Sequence, residues 1–282
     1  MKPSLLTETE NLKKAWISKT PGKLRTYLVS GIQDPRSNIQ SILTRHFLIQ
    51  QLFGHGFDEL AGRELWHAMK LNTERTDNKP VSEEEKEKFQ YQWRDAMAQV
   101  TATPISVLET ACGSANDYRF FDAYGLAQFL RYSGFDLSES NIANASQMFP
   151  SIDFRCGNVF EISREDASVD FVIAFDLFEH LSLEGVDVAL NEVCRVARRG
   201  LVLNLFNASE IADHVSNPVP DRHYHWNTLS LTKVAEFLRA RASRVEVVHI
   251  HGMLSNRYRE NREFGSFLND LNQNLYTFYV SK

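Results

Sequence analysis

The second part of the chain alternates between short apolar runs and stretches of helical periodicity, and this alternation constrains the fold more than any other feature. Five apolar runs are predicted to be strands, at residues 105–109, 130–136, 152–156, 169–175 and 200–206. Four stretches between and after them are predicted to be helices, at residues 117–125, 139–148, 183–197 and 229–241. Such alternation is typical of α/β proteins, in which helices cover both faces of a parallel sheet.

The C-terminal part of the chain departs from this alternation. Residues 244–250 and 276–281 are two strand-like runs that a polar stretch separates. We expect them to pair at one side of the sheet, with the last strand antiparallel. The predicted fold class is therefore α/β: a doubly wound, mostly parallel seven-stranded sheet with an antiparallel last strand, preceded by an α-helical N-terminal region.

Residues 1–102 show helical periodicity and little sign of strands. Ser82 and Glu85 form a capping box, which predicts a helix over residues 83–100. The Thr-Pro pair that follows ends this region, because proline disfavours a helical residue before it. We therefore divide the chain into a helical N-terminal region at 1–102 and an α/β domain at 103–282.

Composition and charge exclude several classes of protein. With 43% hydrophobic and 24% charged residues, the chain is an ordinary globular one. Up to residue 102 it has 15 Lys and Arg against 13 Asp and Glu, and after that residue 16 against 23. The acidic α/β part is a poor electrostatic match for a phosphate backbone, so we expect no nucleic acid partner.

The cysteines and the apolar runs bear on the compartment. Cys112, Cys156 and Cys194 are odd in number and form no CxxC pair, which favours neither a disulfide framework nor a zinc site. No apolar run is long enough for a signal-peptide core or a membrane span, so no membrane partner is expected. Together these features predict a cytoplasmic protein.

Four predicted strands end in residues that suit ligand binding. The first runs into the small residues ACGSA at 111–115, which would let a ligand approach the backbone before the next helix begins. The second ends at Asp136, the third precedes Asn158, and the fourth precedes Asp176. Taken singly, each could be an ordinary turn or a helix cap. The carboxyl ends of parallel strands meet at one edge of a sheet, so together they predict one ligand site.

These motifs together resemble those of the Rossmann-like, or class I, S-adenosylmethionine-dependent methyltransferases. Five segments in the family's order carry the resemblance, namely VLETACGSAN, GFDLSESNIANA, RCGNVFEI, VDFVIAFDLFEHL and RVARRGLVLNLF. The resemblance covers residues 105–282 and implies S-adenosylmethionine as cofactor, with S-adenosylhomocysteine as its product. It also implies that helices before the first strand form a lid over the methyl acceptor.

The resemblance further implies roles for individual residues. Glu109 would lie near the methionine amino group, Asp136 would hold the ribose hydroxyls, and Asn158 would accept from the adenine amino group. Leu137 and Val159 would flank the adenine ring. The complete set of implied cofactor-binding residues is Glu109, Ala111, Gly113, Asn116, Asp136, Leu137, Asn158, Val159, Asp176 and Leu177.

The sequence departs from the family's pattern at three of its motif positions. Ala111 and Ala115 replace glycines of the first motif, and each adds a methyl group where backbone approaches ligand. Asn158 stands where the family often has Asp, although its amide oxygen can still accept from adenine. We expect these changes to lower cofactor affinity without abolishing the site.

Three histidines are candidate catalytic residues, because a hydroxyl acceptor usually needs a general base. His180 follows the fourth strand, while His223 and His225 lie in the loop after the fifth. The loop histidines are favoured, since this loop, with Tyr224 and Trp226, is expected to lie over the acceptor. Alternatively, His180 orients other residues, and the loop is an ordinary packing cluster.

The loop histidines could instead belong to a metal site, with Asp213, His214 and Asp221 nearby in sequence. No fixed pair of carboxylates accompanies them, so no metal is expected.

We expect methyl transfer to a hydroxyl, or an amine, of a small-molecule acceptor such as a secondary metabolite or sugar. The alternatives are an acceptor that is a protein, RNA or glycan, and a binding protein without catalysis. The helical N-terminal region could also join two copies of the chain in a homodimer.

Overall fold

A computed structural model describes residues 1–15, 103–123, 127–252 and 272–282 of the chain. The helix expected over residues 83–100 lies outside the described residues, as does the boundary at 102, so the division into two regions stays a prediction. Across the described ranges, no helix is long and apolar enough to cross a membrane.

The described helices and strands follow the predicted alternation. The helices are α1 (Pro3–Ala15), α2 (Asn116–Ala123), α3 (Glu139–Met148), α4 (Leu183–Val196) and α5 (Leu231–Arg239). The strands are β1 (Ile105–Thr110), β2 (Leu130–Asp136), β3 (Asp153–Cys156), β4 (Val169–Phe175), β5 (Ala197–Leu205), β6 (Ala208–Ser209), β7 (Pro218–Val219), β8 (Tyr224–His225), β9 (Leu229–Ser230), β10 (Arg244–His249) and β11 (Tyr276–Ser281). Single 3₁₀ turns lie at Ala127–Phe129, Phe178–His180 and Pro220–Arg222.

Seven strands form one sheet, in the spatial order β10-β11-β5-β4-β1-β2-β3. Strands β1 to β5 are parallel to their neighbours among themselves, and β11 is antiparallel to both β5 and β10. This topology confirms the predicted fold class and the antiparallel last strand. The strand order reverses between β1 and β4, so their carboxyl ends flank the crevice where open α/β sheets bind ligands.

Apolar side chains fill both faces of the sheet, because a parallel sheet is covered by helices on each side. In β4, six of the seven residues VDFVIAF are buried. On one face α4, α5 and α1 contribute side chains such as Val186, Leu238 and Leu5. On the other face α2 and α3 contribute Tyr118 and Ile142. The two-sided burial holds the strand ends in fixed register at the crevice.

Helix α1 packs against the α/β domain. Leu5 and Leu12 are buried in the same apolar cluster as α4. The Glu8 carboxylate accepts hydrogen bonds from the backbone N–H and the hydroxyl of Ser182, at 2.6 and 2.5 Å. Ser182 is the N-cap of α4, so α1 is tied to the segment that joins β4 to α4.

Candidate functional site

The turn between β1 and α2 contains three residues with left-handed backbone. Ala111, Gly113 and Ala115 have φ angles of 54°, 54° and 65°. This conformation is routine for glycine but strains alanine, because the Cβ atom approaches the following carbonyl oxygen. The strained residues lie at the carboxyl end of β1, and backbone strain of this kind is concentrated at ligand-binding sites.

The Asp136 carboxylate joins the end of β2 to this turn. Its Oδ2 accepts a hydrogen bond from the backbone N–H of Gly113 at 2.9 Å. Its Oδ1 accepts from the backbone N–H of Ser138 at 2.8 Å and from the side-chain amide of Asn141 at 3.2 Å. Burial raises the pKa of Asp136, and these hydrogen bonds oppose the increase only in part. The carboxylate therefore holds the turn in place.

Asn158, just after β3, lies between β2 and α1. Its Oδ1 accepts from the backbone N–H of Phe160 at 2.9 Å, and its Nδ2 donates to the Thr9 hydroxyl at 2.9 Å. The preceding residue, Gly157, donates its backbone N–H to the carbonyl oxygen of Asp136. Helix α1 thus reaches the residue that is predicted to bind adenine, and no pattern in the sequence indicates this contact between distant segments.

The other predicted cofactor residues surround these groups. Glu109 is buried on β1, between β2 and β4. Asn116 is the first residue of α2. Val159 and Leu177 are buried, and Leu137 packs against the same apolar cluster. The fold therefore places the whole predicted set at the carboxyl ends of β1 to β4 or in the segments just after them.

Asp176 and His180, just after β4, are joined by a hydrogen bond. Nε2 of His180 lies 3.2 Å from Oδ1 of Asp176, and Nδ1 lies 3.2 Å from the carbonyl oxygen of His225. Carboxylates and carbonyls only accept hydrogen bonds, so each contact requires a proton on the ring nitrogen concerned, and the imidazolium form of His180 supplies both protons. Burial lowers the pKa of His180, but the bond to Asp176 and the charges of Glu179 and Asp176 outweigh burial and raise it.

Glu179 is a buried carboxyl group that was not among the predicted site residues. Its Oε1 accepts from the backbone N–H of Phe206 at 2.7 Å, and its carbonyl oxygen accepts from the backbone N–H of Asn227 at 2.8 Å. Among the residues that the structure describes, Oε2 has no hydrogen-bond partner. Burial and the charge of Asp176 raise the pKa of Glu179 to about 7. In the sequence, Glu179 directly precedes the candidate residue His180 within the motif VDFVIAFDLFEHL, and this position was the signal that could have indicated it.

The loop after β5 carries the other two predicted histidines, and it folds into a hairpin of β7 and β8. His223 is exposed at the turn, with a φ of 59°. His225 is half-buried, and its Nδ1 has no hydrogen-bond partner in the described part of the chain. Tyr224 and Trp226 pack against the His180 ring, with centroid distances of 5.3 and 5.2 Å. The loop is therefore attached to the segment after β4.

Two of the side chains that a metal site in this loop could use have partners of their own. Asp213 pairs with Lys233, and Nδ1 of His214 accepts a hydrogen bond from the backbone N–H of Ser230. Within the ranges that the structure covers, no group of three or more His, Cys, Asp and Glu side chains could hold a metal ion.

Comparison with known proteins bears on the family. Residues 107–200 match a family described as a methyltransferase domain. A protein of Mycolicibacterium smegmatis, named as a probable S-adenosylmethionine-dependent methyltransferase, is 30% identical over 141 residues, which make up 50% of this chain and 52% of that protein. The chain thus spans about half the length of this curated relative.

Solved structures with a similar fold include methyltransferases. One is a chain of the Haloferax volcanii complex between the Trm112 methyltransferase activator and a methyltransferase, with a TM-score of 0.47 and 15% identity, over 70% of this chain and 92% of that chain. Another is an S-adenosylmethionine-dependent methyltransferase of Mesorhizobium loti, with a TM-score of 0.47 and 14% identity, over 68% and 97%. Likeness at this level says nothing about activity.

The fold and the family match agree with each other. The mostly parallel sheet with a reversed last strand is the fold that the sequence resemblance implied. The matched region begins in β1 and ends in β5, so it contains the strained turn together with Asp136, Asn158 and Asp176. The match to a methyltransferase domain over residues 107–200 agrees with the family that the sequence motifs resemble, the Rossmann-like, class I S-adenosylmethionine-dependent methyltransferases.

Proposed function

We propose that the protein transfers the methyl group of S-adenosylmethionine to a hydroxyl, or alternatively an amine, of a small-molecule acceptor. The observation that carries this proposal is the hydrogen bond between the Asp136 carboxylate and the backbone N–H of Gly113. It fixes the strained turn after β1 against the end of β2. The backbone of the turn, which a ligand can approach closely, and a carboxylate therefore lie together in the crevice. A nucleoside with an attached amino acid needs both groups for its recognition.

The residues at the ends of β2 and β3 fit the adenosine part of the cofactor. Asp136 would accept the ribose hydroxyls, because its oxygens can accept further hydrogen bonds beside those from the backbone. Asn158 would accept from the adenine amino group through Oδ1, which now accepts one bond from Phe160. Leu137 and Val159, which belong to one apolar cluster, would flank the ring.

The residues at the ends of β1 and β4 fit the cationic part of the cofactor. Glu109 is a buried carboxyl group on β1, and the Asp176 carboxylate follows β4. Both suit a ligand that carries an ammonium and a sulfonium. The bound cofactor supplies a methyl group that is already activated. The protein then has to align the acceptor with the S–CH₃ bond and exclude water, for which the apolar Leu177 is well suited.

The contacts favour His225 as the general base for a hydroxyl acceptor. His180 donates from both ring nitrogens, so it has no lone pair with which to accept a proton. His223 is exposed to solvent, where an acceptor is poorly held. His225 is half-buried, and the described residues leave its Nδ1 without a partner, so a ring nitrogen remains to accept the proton.

Isothermal titration calorimetry with S-adenosylmethionine and S-adenosylhomocysteine tests the cofactor site. Asp136→Asn keeps the shape of the side chain and removes its charge, so we expect binding to weaken by about 10-fold or more. Asp170→Asn is the matched control. Asp170 is also buried, and its carboxylate accepts hydrogen bonds from the backbone N–H and the hydroxyl of Ser106. It lies at the amino end of β4, whereas the crevice is at the carboxyl end. Its variant should bind both compounds as the wild type does.

Two results would overturn the proposal. If the wild type binds neither compound, or if Asp136→Asn binds as tightly as the wild type, the crevice is not the cofactor site. If the protein binds cofactor and methylates protein, RNA or glycan instead of pooled hydroxylated and amino metabolites, the acceptor is a macromolecule.

A further inference from the structure

His180 connects two parts of the site that are distant in sequence. The residue is 5% exposed and lies in the 3₁₀ turn Phe178–His180. Through Nε2 it binds Asp176, which follows β4, and through Nδ1 it binds the carbonyl oxygen of His225 in the hairpin. These two partners belong to different loops.

The hairpin also encloses the His180 ring. Tyr224 meets the ring edge-on, with 85° between the planes, and Trp226 lies on it at 38°. The hairpin therefore packs two of its own aromatic side chains against the ring that binds its carbonyl oxygen.

Further hydrogen bonds join the segment after β4 to the hairpin, close to the bond from His180. Asn227 donates its backbone N–H to the carbonyl oxygen of Glu179, and its side-chain amide donates to the carbonyl oxygen of Leu181 at 2.6 Å. These bonds hold residue 227, at the base of the hairpin. The bond from His180 holds residue 225, which carries the candidate base.

We infer that His180 is a positioning residue with a separate task for each ring nitrogen: Nε2 fixes Asp176 beside the cofactor, and Nδ1 fixes the hairpin that carries His225. The first task rests on the proposed function. The second does not, because it concerns the protein without ligand. His180 itself exchanges no proton with the acceptor.

Two substitutions separate these tasks. In asparagine the amide nitrogen is bonded to Cγ, as Nδ1 is in histidine, so His180→Asn keeps a donor for His225 and leaves none for Asp176. In glutamine the amide nitrogen lies one bond further out, near the place of Nε2. His180→Gln therefore keeps a donor for Asp176 and loses the donor for the carbonyl oxygen of His225. Tyr224→Phe keeps its ring on His180 and is the matched control.

Two measurements report on the two ring nitrogens of His180 separately. Amide hydrogen exchange over residues 215–228 reports on the hairpin, whose amides include Trp226 N–H, bonded to the carbonyl oxygen of Asn217. Titration with S-adenosylhomocysteine reports on Asp176. We expect His180→Gln to speed exchange by about 10-fold or more, the effect of losing one charged hydrogen bond, with little change in Kd. We expect His180→Asn to raise Kd by about 10-fold or more with little change in exchange.

The inference fails if both variants change both measurements alike, since His180 is then only a structural brace, and it fails if neither variant changes either. If a variant does not fold, as thermal unfolding would reveal, Asp176→Asn replaces it. That variant leaves the Nδ1 bond to the carbonyl oxygen of His225 in place, so unchanged exchange supports the separate task of Nδ1 and faster exchange contradicts it. If the wild type binds no S-adenosylhomocysteine, the proposed function fails, whereas the exchange experiment still decides the second task.

Discussion

Replacing the left-handed alanines with glycine tests whether the turn after β1 is strained. Ala111 and Ala115 have positive φ, and so does Ala167, an exposed residue in the loop before β4. Glycine removes the strain of this conformation, roughly 1–2 kcal/mol. It also gives the unfolded chain more freedom, which destabilises the fold by about 0.4–1 kcal/mol. At a site without packing, the net gain in the free energy of unfolding should be about 0.5–1 kcal/mol.

The three alanines differ in burial, so the three substitutions should differ in their effect on the free energy of unfolding. Ala115 is 0% exposed, Ala111 is half-buried, and Ala167 is exposed. Removing a buried methyl group destabilises by about 0.8 kcal/mol, which cancels the gain at Ala115. We therefore expect Ala167→Gly and Ala111→Gly to be more stable than the wild type, and Ala115→Gly to be close to it.

Urea denaturation measures the free energy of unfolding, provided that the m-values agree. Titration with S-adenosylhomocysteine then shows whether the methyl groups crowd the ligand. Ala111→Gly should bind more tightly, whereas Ala167→Gly, whose backbone N–H binds Arg195 away from the crevice, should not. Loss of stability in Ala167→Gly would refute the strain argument, and unchanged binding by Ala111→Gly would refute the claim that its methyl group faces the ligand.

Two further predictions concern the titratable groups of the site. The pKa of Glu179 is raised from 4.5 to about 7, so its contribution to stability is complete below pH 4.5 and is lost as the pH rises through about 7. Glu179→Gln should therefore show a smaller difference than the wild type between unfolding free energies measured near pH 5 and near pH 8, and an equal difference would contradict the burial argument. Once an acceptor is found, His225→Ala should lower turnover about 100-fold with cofactor affinity unchanged, as the loss of a general base does. His223→Ala should retain most of its turnover, and equal losses in the two variants would count against His225.

The sheet could be predicted because its buried strands are continuous apolar runs. β2, β4 and α3 have the predicted bounds, and α3 begins after Ser138, whose hydroxyl accepts from the backbone N–H of Asn141. β5 begins at residue 197 instead of the predicted 200. Ala197 pairs with Val169 across a bulge, and two arginines follow it. Only tertiary pairing could reveal these polar residues as strand.

The sequence indicated which residues lie at the strand ends but not what they bind within the protein. It placed Asp136 at the crevice, whereas the bond from Asp136 to Gly113 depends on the φ angles of the turn. The left-handed conformation of Ala111 contradicts the preference of alanine, so no local rule predicts it. The bond from His180 to residue 225 joins two loops, and tertiary packing alone brings them together.

The position of β11 has a consequence for the order of folding during synthesis. β11 lies between β5 and β10 in the sheet, although both of these precede it in the chain. A nascent chain therefore carries β5 and β10 with open edges until residues 276–281 have left the ribosome. Open strand edges pair readily with other chains, so slow translation of this last strand would prolong exposure to aggregation.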